Sequence, residues 1–125
     1  MDRPLIVNPP DLPEPVGFAH AVVAGGAVYL GGQIGEGETL VEQFDSAAGR
    51  IVTALNAAGA KPDELVSLVV YTTEIDEYRA STHELGEVWQ KHFGKRYPAM
   101  ALIGVGALMD PEAKIELMGV AVVGE

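Results

Sequence analysis

Two segments of this chain, "VVAGGAVYL" (22–30) and "KIELMGVAVV" (114–123), carry apolar residues on both alternating faces. Successive side chains of a strand point to opposite faces, so a sheet built from such strands must be covered on both sides. A small chain can cover one face with its own helices. The other face would meet water unless a further copy of the chain covered it. Oligomer formation is the expectation that follows.

The remaining elements fit around that sheet. Gly25-Gly26 splits "AHAVVAGGAVYLGGQI" into two apolar runs, and a glycine pair supplies positive φ cheaply, which predicts a hairpin. Leu40, Val41, Phe44, Ala47, Ala48, Ile51, Val52 and Leu55 form a stripe with a period near 3.6, a helix over 40–58 with Gly59 at its C-cap. "LVSLVVYTTEI" (65–75) is β-branched and apolar, hence a buried strand. Asp76 is a candidate N-cap for a second helix carrying Tyr78, Leu85, Val88, Trp89 and Phe93 and ending at Gly94. Strands at 99–108 and 113–123 follow, joined by the turn "MDPE". The order β-β-α-β-α-β-β describes an α+β domain, a mixed β-sheet with two helices packed on one face. Its 125 residues suit one domain. Pro-rich residues 1–16 read as an extended N-terminal arm and 17–125 as the single domain.

Charge narrows the partners. The net charge is −10 with no Lys/Arg cluster, which disfavours nucleic acid and anionic membranes. No apolar run approaches the roughly 20 residues of a membrane helix, and the N-terminus lacks the charged-then-apolar order of a signal peptide. A cytoplasmic protein is expected. With no Cys, disulfides, thiolate zinc sites and cysteine nucleophiles are excluded.

Few motifs carry chemistry. The glycine-rich "AGGAVYLGGQIGEGE" matches neither nucleotide-binding pattern. His20, His83 and His92 have no metal-ligand spacing, and the latter two fall on a predicted helix where solvation is expected. Ser46, Ser67 and Ser81 lie in no nucleophile elbow. Glu116 differs from the other carboxylates because it sits inside a predicted strand between Ile115 and Leu117. It is either a solvent-facing residue of that strand or a desolvated carboxyl whose pKa rises toward the proton-shuttling range.

Taken together and in order, "HAVVAGGAVYLGGQIG", "LNAAGAKPDELVSLVVYTTEIDEY", the "PA" of "YPAMALIGVGAL" and "AKIELMGVAV" resemble the RidA (YjgF) family, from about Gly17 to the C-terminus. The resemblance implies a chorismate-mutase-like (YjgF-like) fold and a homotrimer with small-molecule clefts between subunits. It implies hydrolysis of reactive enamines or imines to a carbonyl compound and ammonia, with no metal or organic cofactor. In such a site an Arg of a "PAR" motif clamps the substrate carboxylate, a strand Glu moves protons, and backbone groups of an "SGQ" segment and a loop Tyr complete the cleft.

Carried onto this chain, the Glu falls on Glu116, the expected acid/base. "SGQ" becomes Gly31-Gly32-Gln33, with Gly31 and Gln33 expected to shape the site. The Tyr falls on Phe18 and the Arg on Met100; Phe18, Met100 and Leu102 are the expected lining. A thioether cannot replace a guanidinium fork, and losing a charge-assisted pair is worth on the order of 10²-fold toward an α-imino acid. Lys114 shares the strand face of Glu116 by alternation, and Arg96 precedes Pro98; either is a candidate substitute cation, and both also read as surface charges. Two functions follow: an imine deaminase of altered, less anionic specificity, or a non-catalytic ligand-binding or interaction trimer. A ribonuclease is disfavoured by the charge.

Overall fold

The computed structural model describes residues 3–124. Residues 1, 2 and 125, the outer ends of the expected arm and domain, lie outside the described residues. Six strands form one sheet: β1 (Leu5–Val7), β2 (Ala21–Ala24), β3 (Ala27–Gln33), β4 (Leu65–Thr72), β5 (Ala99–Gly104) and β6 (Ile115–Val122). Their order across the sheet is β1-β2-β3-β6-β4-β5. Only β4 and β5 run parallel, so the sheet is mixed. Helices α1 (Leu40–Ala57), α2 (Ile75–Ala80) and α3 (Thr82–Phe93) complete the α+β domain.

The hairpin β2–β3 turns on two residues, Gly25 at φ 58° and Gly26 at φ 81°. Two positive φ values in a two-residue loop match the twist of the flanking strands. Helix α1 starts in a capping box: the Glu42 amide donates to Thr39 Oγ1 at 3.1 Å and the Thr39 amide to Glu42 Oε1 at 3.0 Å. It ends where Gly59 takes φ 87°. Its stripe of Leu40, Phe44, Ala47, Ala48, Ile51 and Leu55 is buried against Val28, Leu30, Leu68, Val70, Ile115 and Leu117 of the sheet. Each large aliphatic side chain buried there contributes roughly 1.5–3 kcal/mol.

The open face of the sheet is apolar as well. Tyr29 is 52% exposed, Met118 40% and Val122 48%, with Val69, Val120 and Tyr71 beside them along the ladder.

Several boundaries differ from the sequence reading. Residues 5–7 of the expected arm are a strand paired with Ala21–Val23, and Leu12 is in the core. Three residues are too few for a periodicity to register. The second helix is two helices broken at Ser81, and it starts at Ile75, so Asp76 lies in the first turn and does not cap it. Strand β4 stops at Thr72, whose hydroxyl donates to the Lys114 carbonyl at 2.7 Å and accepts from the Glu74 amide at 3.0 Å, turning the chain into α2. Strands β5 and β6 are shorter than 99–108 and 113–123. His92 is not solvated: half-buried, its Nε2 bonds Asp45 Oδ1 on α1. No helix among the described residues is long and apolar enough to cross a membrane.

Candidate functional site

A register shift in β3 builds the site. Leu30 pairs with Gly119 and Gln33 with Leu117, so three steps along β3 match two along β6. An unbroken ladder would set Gln33 opposite Glu116 on the open face. The extra residue is a bulge, and beyond it the alternation reverses. Gln33 therefore turns into the core, 3% exposed, while Gly31 and Gly32 occupy the bulge on the pocket side. Gln33 does not line the pocket, contrary to the expectation carried over from the "SGQ" segment of the resemblance.

Buried Gln33 has a structural partner. Its Nε2 donates to His20 Nδ1 at 2.8 Å. His20 Nε2 in turn donates to the Pro13 carbonyl at 2.6 Å, which fixes the ring proton on Nε2 because a carbonyl can only accept. The His20 ring meets Phe18 edge-on, centroids 5.3 Å apart. Through this chain of contacts the bulge, the proline-rich segment and Phe18 are held in one arrangement.

The Glu116 carboxylate lies across the bulge. A Cβ on residue 32 would stand 2.5 Å from Glu116 Oε2 and 2.8 Å from its carboxyl carbon. Only glycine leaves room for the carboxyl there. A Cβ on Gly31 would strike the Ala19 carbonyl, so that glycine lets β3 approach the preceding loop. Val16, Phe18, Ile34 and Met109 wall an open pocket of about 390 Å³ above Glu116, with Asp110 at its edge. Its charged lining groups are two carboxylates. No ion pair among the described residues involves Glu116. A half-buried carboxylate free of any cation can take a proton from water and return it.

The proposed substitute cations lie elsewhere. Lys114 precedes the strand and its Nζ pairs with Glu77 Oε1 at 3.2 Å. Glu77 also accepts from the Leu40 amide at 2.9 Å, and that bond first, then Lys114, holds its carboxyl below the usual range. Arg96 is exposed beside Trp89 and Tyr97, outside the Glu116 pocket.

Met100 and Leu102 also stand apart. They pair with Leu68 and Val70, so they share the helix-covered face, opposite to that of Glu116. Met100 lines a second groove of about 180 Å³ with Phe44, Tyr78, Leu85 and Trp89. Tyr97 stacks on Trp89 at 5.3 Å and closes one end of it. Burial, then the neighbouring Tyr97, pushes the Tyr78 phenol up, so it stays protonated. One chain thus brings together Phe18, Gly31 and Glu116, and sets Met100 and Leu102 on a different surface. Val16, Gly32, Ile34, Met109 and Asp110 were not anticipated. Among the described residues no group of three or more His, Cys, Asp or Glu could hold a metal ion.

Comparison with known proteins adds a family context. The model of the family described as Endoribonuclease L-PSP matches residues 12–123. A RutC family protein of Aquifex aeolicus is 31% identical over 125 residues, covering 91% of this chain and 97% of its own. A 2-iminobutanoate/2-iminopropanoate deaminase of Dermatophagoides farinae is 26% identical, covering 94% and 95%. A solved structure from Mycobacterium tuberculosis, a member of the YjgF/YER057c/UK114 family, superposes with a TM-score of 0.81 at 31% identity, covering 97% of this chain and 100% of that one.

Proposed function

Because the chain belongs to the Endoribonuclease L-PSP family, the RidA/YjgF proteins, we propose that it hydrolyses imines or enamines to a carbonyl compound and ammonia. The observation that carries this reading is the unpaired Glu116 carboxylate laid over Gly32 in an apolar-walled pocket. Two relatives bear the name 2-iminobutanoate/2-iminopropanoate deaminase, at 26% and 27% identity. Their imino-acid specificity does not transfer directly, since Met100 replaces the carboxylate clamp. The substrate is less anionic.

The chemistry asks little of the protein. Glu116 orients a water and takes its proton as the oxygen adds to the carbon of the protonated imine, C=NH2⁺. The carboxyl then gives that proton to nitrogen, the C–N bond breaks, and ammonia leaves with the bonding pair. The remaining hydroxyl proton passes to solvent as the carbonyl forms. Positioning supplies most of the acceleration. No organic cofactor or metal has a role in this scheme.

The working unit is a cytoplasmic homotrimer. Met100 and Leu102 lie on the opposite sheet face from Glu116 in one chain, so they reach a shared cleft only from a neighbouring subunit. The pocket's two carboxylates and the net charge of −10 fit poorly with RNA, so the ligand is a small molecule and not a nucleic acid.

The test is hydrolysis of imines generated in situ by an amino-acid or amine oxidase, read as decay beyond the spontaneous rate. The expected result is acceleration by the wild type and a loss on the order of 10²-fold in Glu116→Gln. A wild type inert toward every imine supports the second reading, a non-catalytic ligand-binding trimer. The absence of polar walls other than carboxylates and backbone favours that alternative.

A further inference from the structure

The pocket over Glu116 has a charge asymmetry that its hydrolytic role does not require. Within one chain its side walls are Val16, Phe18, Ile34 and Met109, and the charged groups facing it are Glu116 and Asp110. Two cations adjoin these segments, and both are engaged. Arg50 donates to the Ile34 carbonyl at 2.8 Å and pairs with Glu36 at 3.5 Å. Lys114 is held by Glu77. Asp110 is fixed in its turn by the Glu112 amide at 2.9 Å. Phe18 is 51% exposed, and an aromatic face attracts a cation.

Taking the imine-hydrolysing reading as its starting point, we infer that the substrate is a cation: an iminium bearing an alkyl or aryl group and no carboxylate. The apolar group lies against Phe18, Ile34 and Met109. The C=NH2⁺ end lies toward Glu116. An anionic imino acid meets two carboxylates there, which repel it. Such an iminium arises when a primary amine loses a hydride from carbon to a flavin or similar acceptor, the nitrogen keeping both its protons. The reaction class that supplies this substrate is therefore amine oxidation.

Three stable probes share one ring and differ in charge: benzylammonium, benzyl alcohol and benzoate. Calorimetric titration of the full chain at physiological ionic strength ranks them. Benzylammonium is expected to bind about tenfold or more tightly than benzyl alcohol, and benzoate most weakly. Ammonium chloride, the charge without the ring, is expected not to compete. Glu116→Gln should bring benzylammonium down to the alcohol's level while leaving benzyl alcohol within about twofold, which also shows an intact pocket. Asp110→Asn, on an exposed turn, should move the ratio in the same direction by less.

Benzoate binding as well as benzylammonium, or an ammonium-to-alcohol ratio unchanged in both variants, overturns the inference. Imine hydrolysis measured beside the titration separates the two ideas. Charge-selective binding without hydrolysis keeps the cation pocket and removes the hydrolase. Rapid hydrolysis of 2-imino acids without ammonium preference keeps the hydrolase and removes the cation pocket.

Discussion

At position 32 a hydrogen stands where any other residue would bring a carbon within 2.5 Å of Glu116 Oε2. Its φ is not in the left-handed region, so Gly32→Ala imposes no backbone strain and tests the contact alone. The carboxyl must swing away, and a displacement near 1 Å can lower activity on the order of 10²-fold. We expect Gly32→Ala to unfold within about 1 kcal/mol of the wild type, yet to match Glu116→Gln in the imine assay; wild-type rates would show that the carboxyl position is immaterial. Met100→Arg carries the complementary expectation. If the groove of Met100 meets the Glu116 pocket across a subunit boundary, the new guanidinium raises kcat/KM for 2-imino acids by about tenfold or more. Glu116 was legible in the sequence because a carboxylate between Ile115 and Leu117 breaks an apolar run. Gln33, carried over from the "SGQ" segment of the resemblance, is turned into the core because alternation holds only along an unbroken ladder. A bulge shifts it by one, and a pair of glycines at 31 and 32 is the sole local hint.

Beside their apolar packing, helices α1 and α3 are linked through the Asp45 carboxylate. Asp45 on α1 accepts from Lys91 Nζ at 3.0 Å and bonds His92 on α3. The His92 bond first, and Lys91 after it, hold the Asp45 carboxyl below its usual range. A depressed folded pKa adds stability that is complete above the unfolded carboxylate value. That stability disappears as pH falls through the lower folded value. Asp45→Asn should therefore be less stable than the wild type at neutral pH, by no more than about 1 kcal/mol because the pair is partly exposed. The gap between their melting temperatures should close as pH drops from about 5 to about 2. A constant gap would assign the link to packing. Helix α1 was readable to within a residue because its stripe runs unbroken for five turns. The second helix was read as one because Ser81 interrupts the hydrogen bonds without interrupting the apolar spacing. The strand ends were overextended because "YTTEI" and "GVGAL" stay apolar or β-branched after the chain has left the ladder.

The molecule as a whole leaves one sheet face uncovered, and that was evident from strands apolar on both sides. What covers it was not, because the pattern demands a partner without naming one. Self-association into trimers predicts sedimentation at three times the 13.2 kDa chain mass. Met118→Glu, a charge set on the 40%-exposed centre of that face, should shift the protein to monomer and lower its melting temperature. A wild-type monomer at micromolar concentration would remove the shared cleft. The strand order β1-β2-β3-β6-β4-β5 carries a different consequence. Its central strand β6 is the last of the six described strands to be synthesised. While residues 115–122 are still inside the ribosome, β3 and β4 have no ladder between them, and the β2–β3 hairpin and the β4–β5 pair remain separate halves with open edges. The nascent chain can form α1 and the hairpin early. Its sheet closes only once residues 115–122 have left the ribosome, so emergence of β6 and acquisition of Glu116's surroundings are one event.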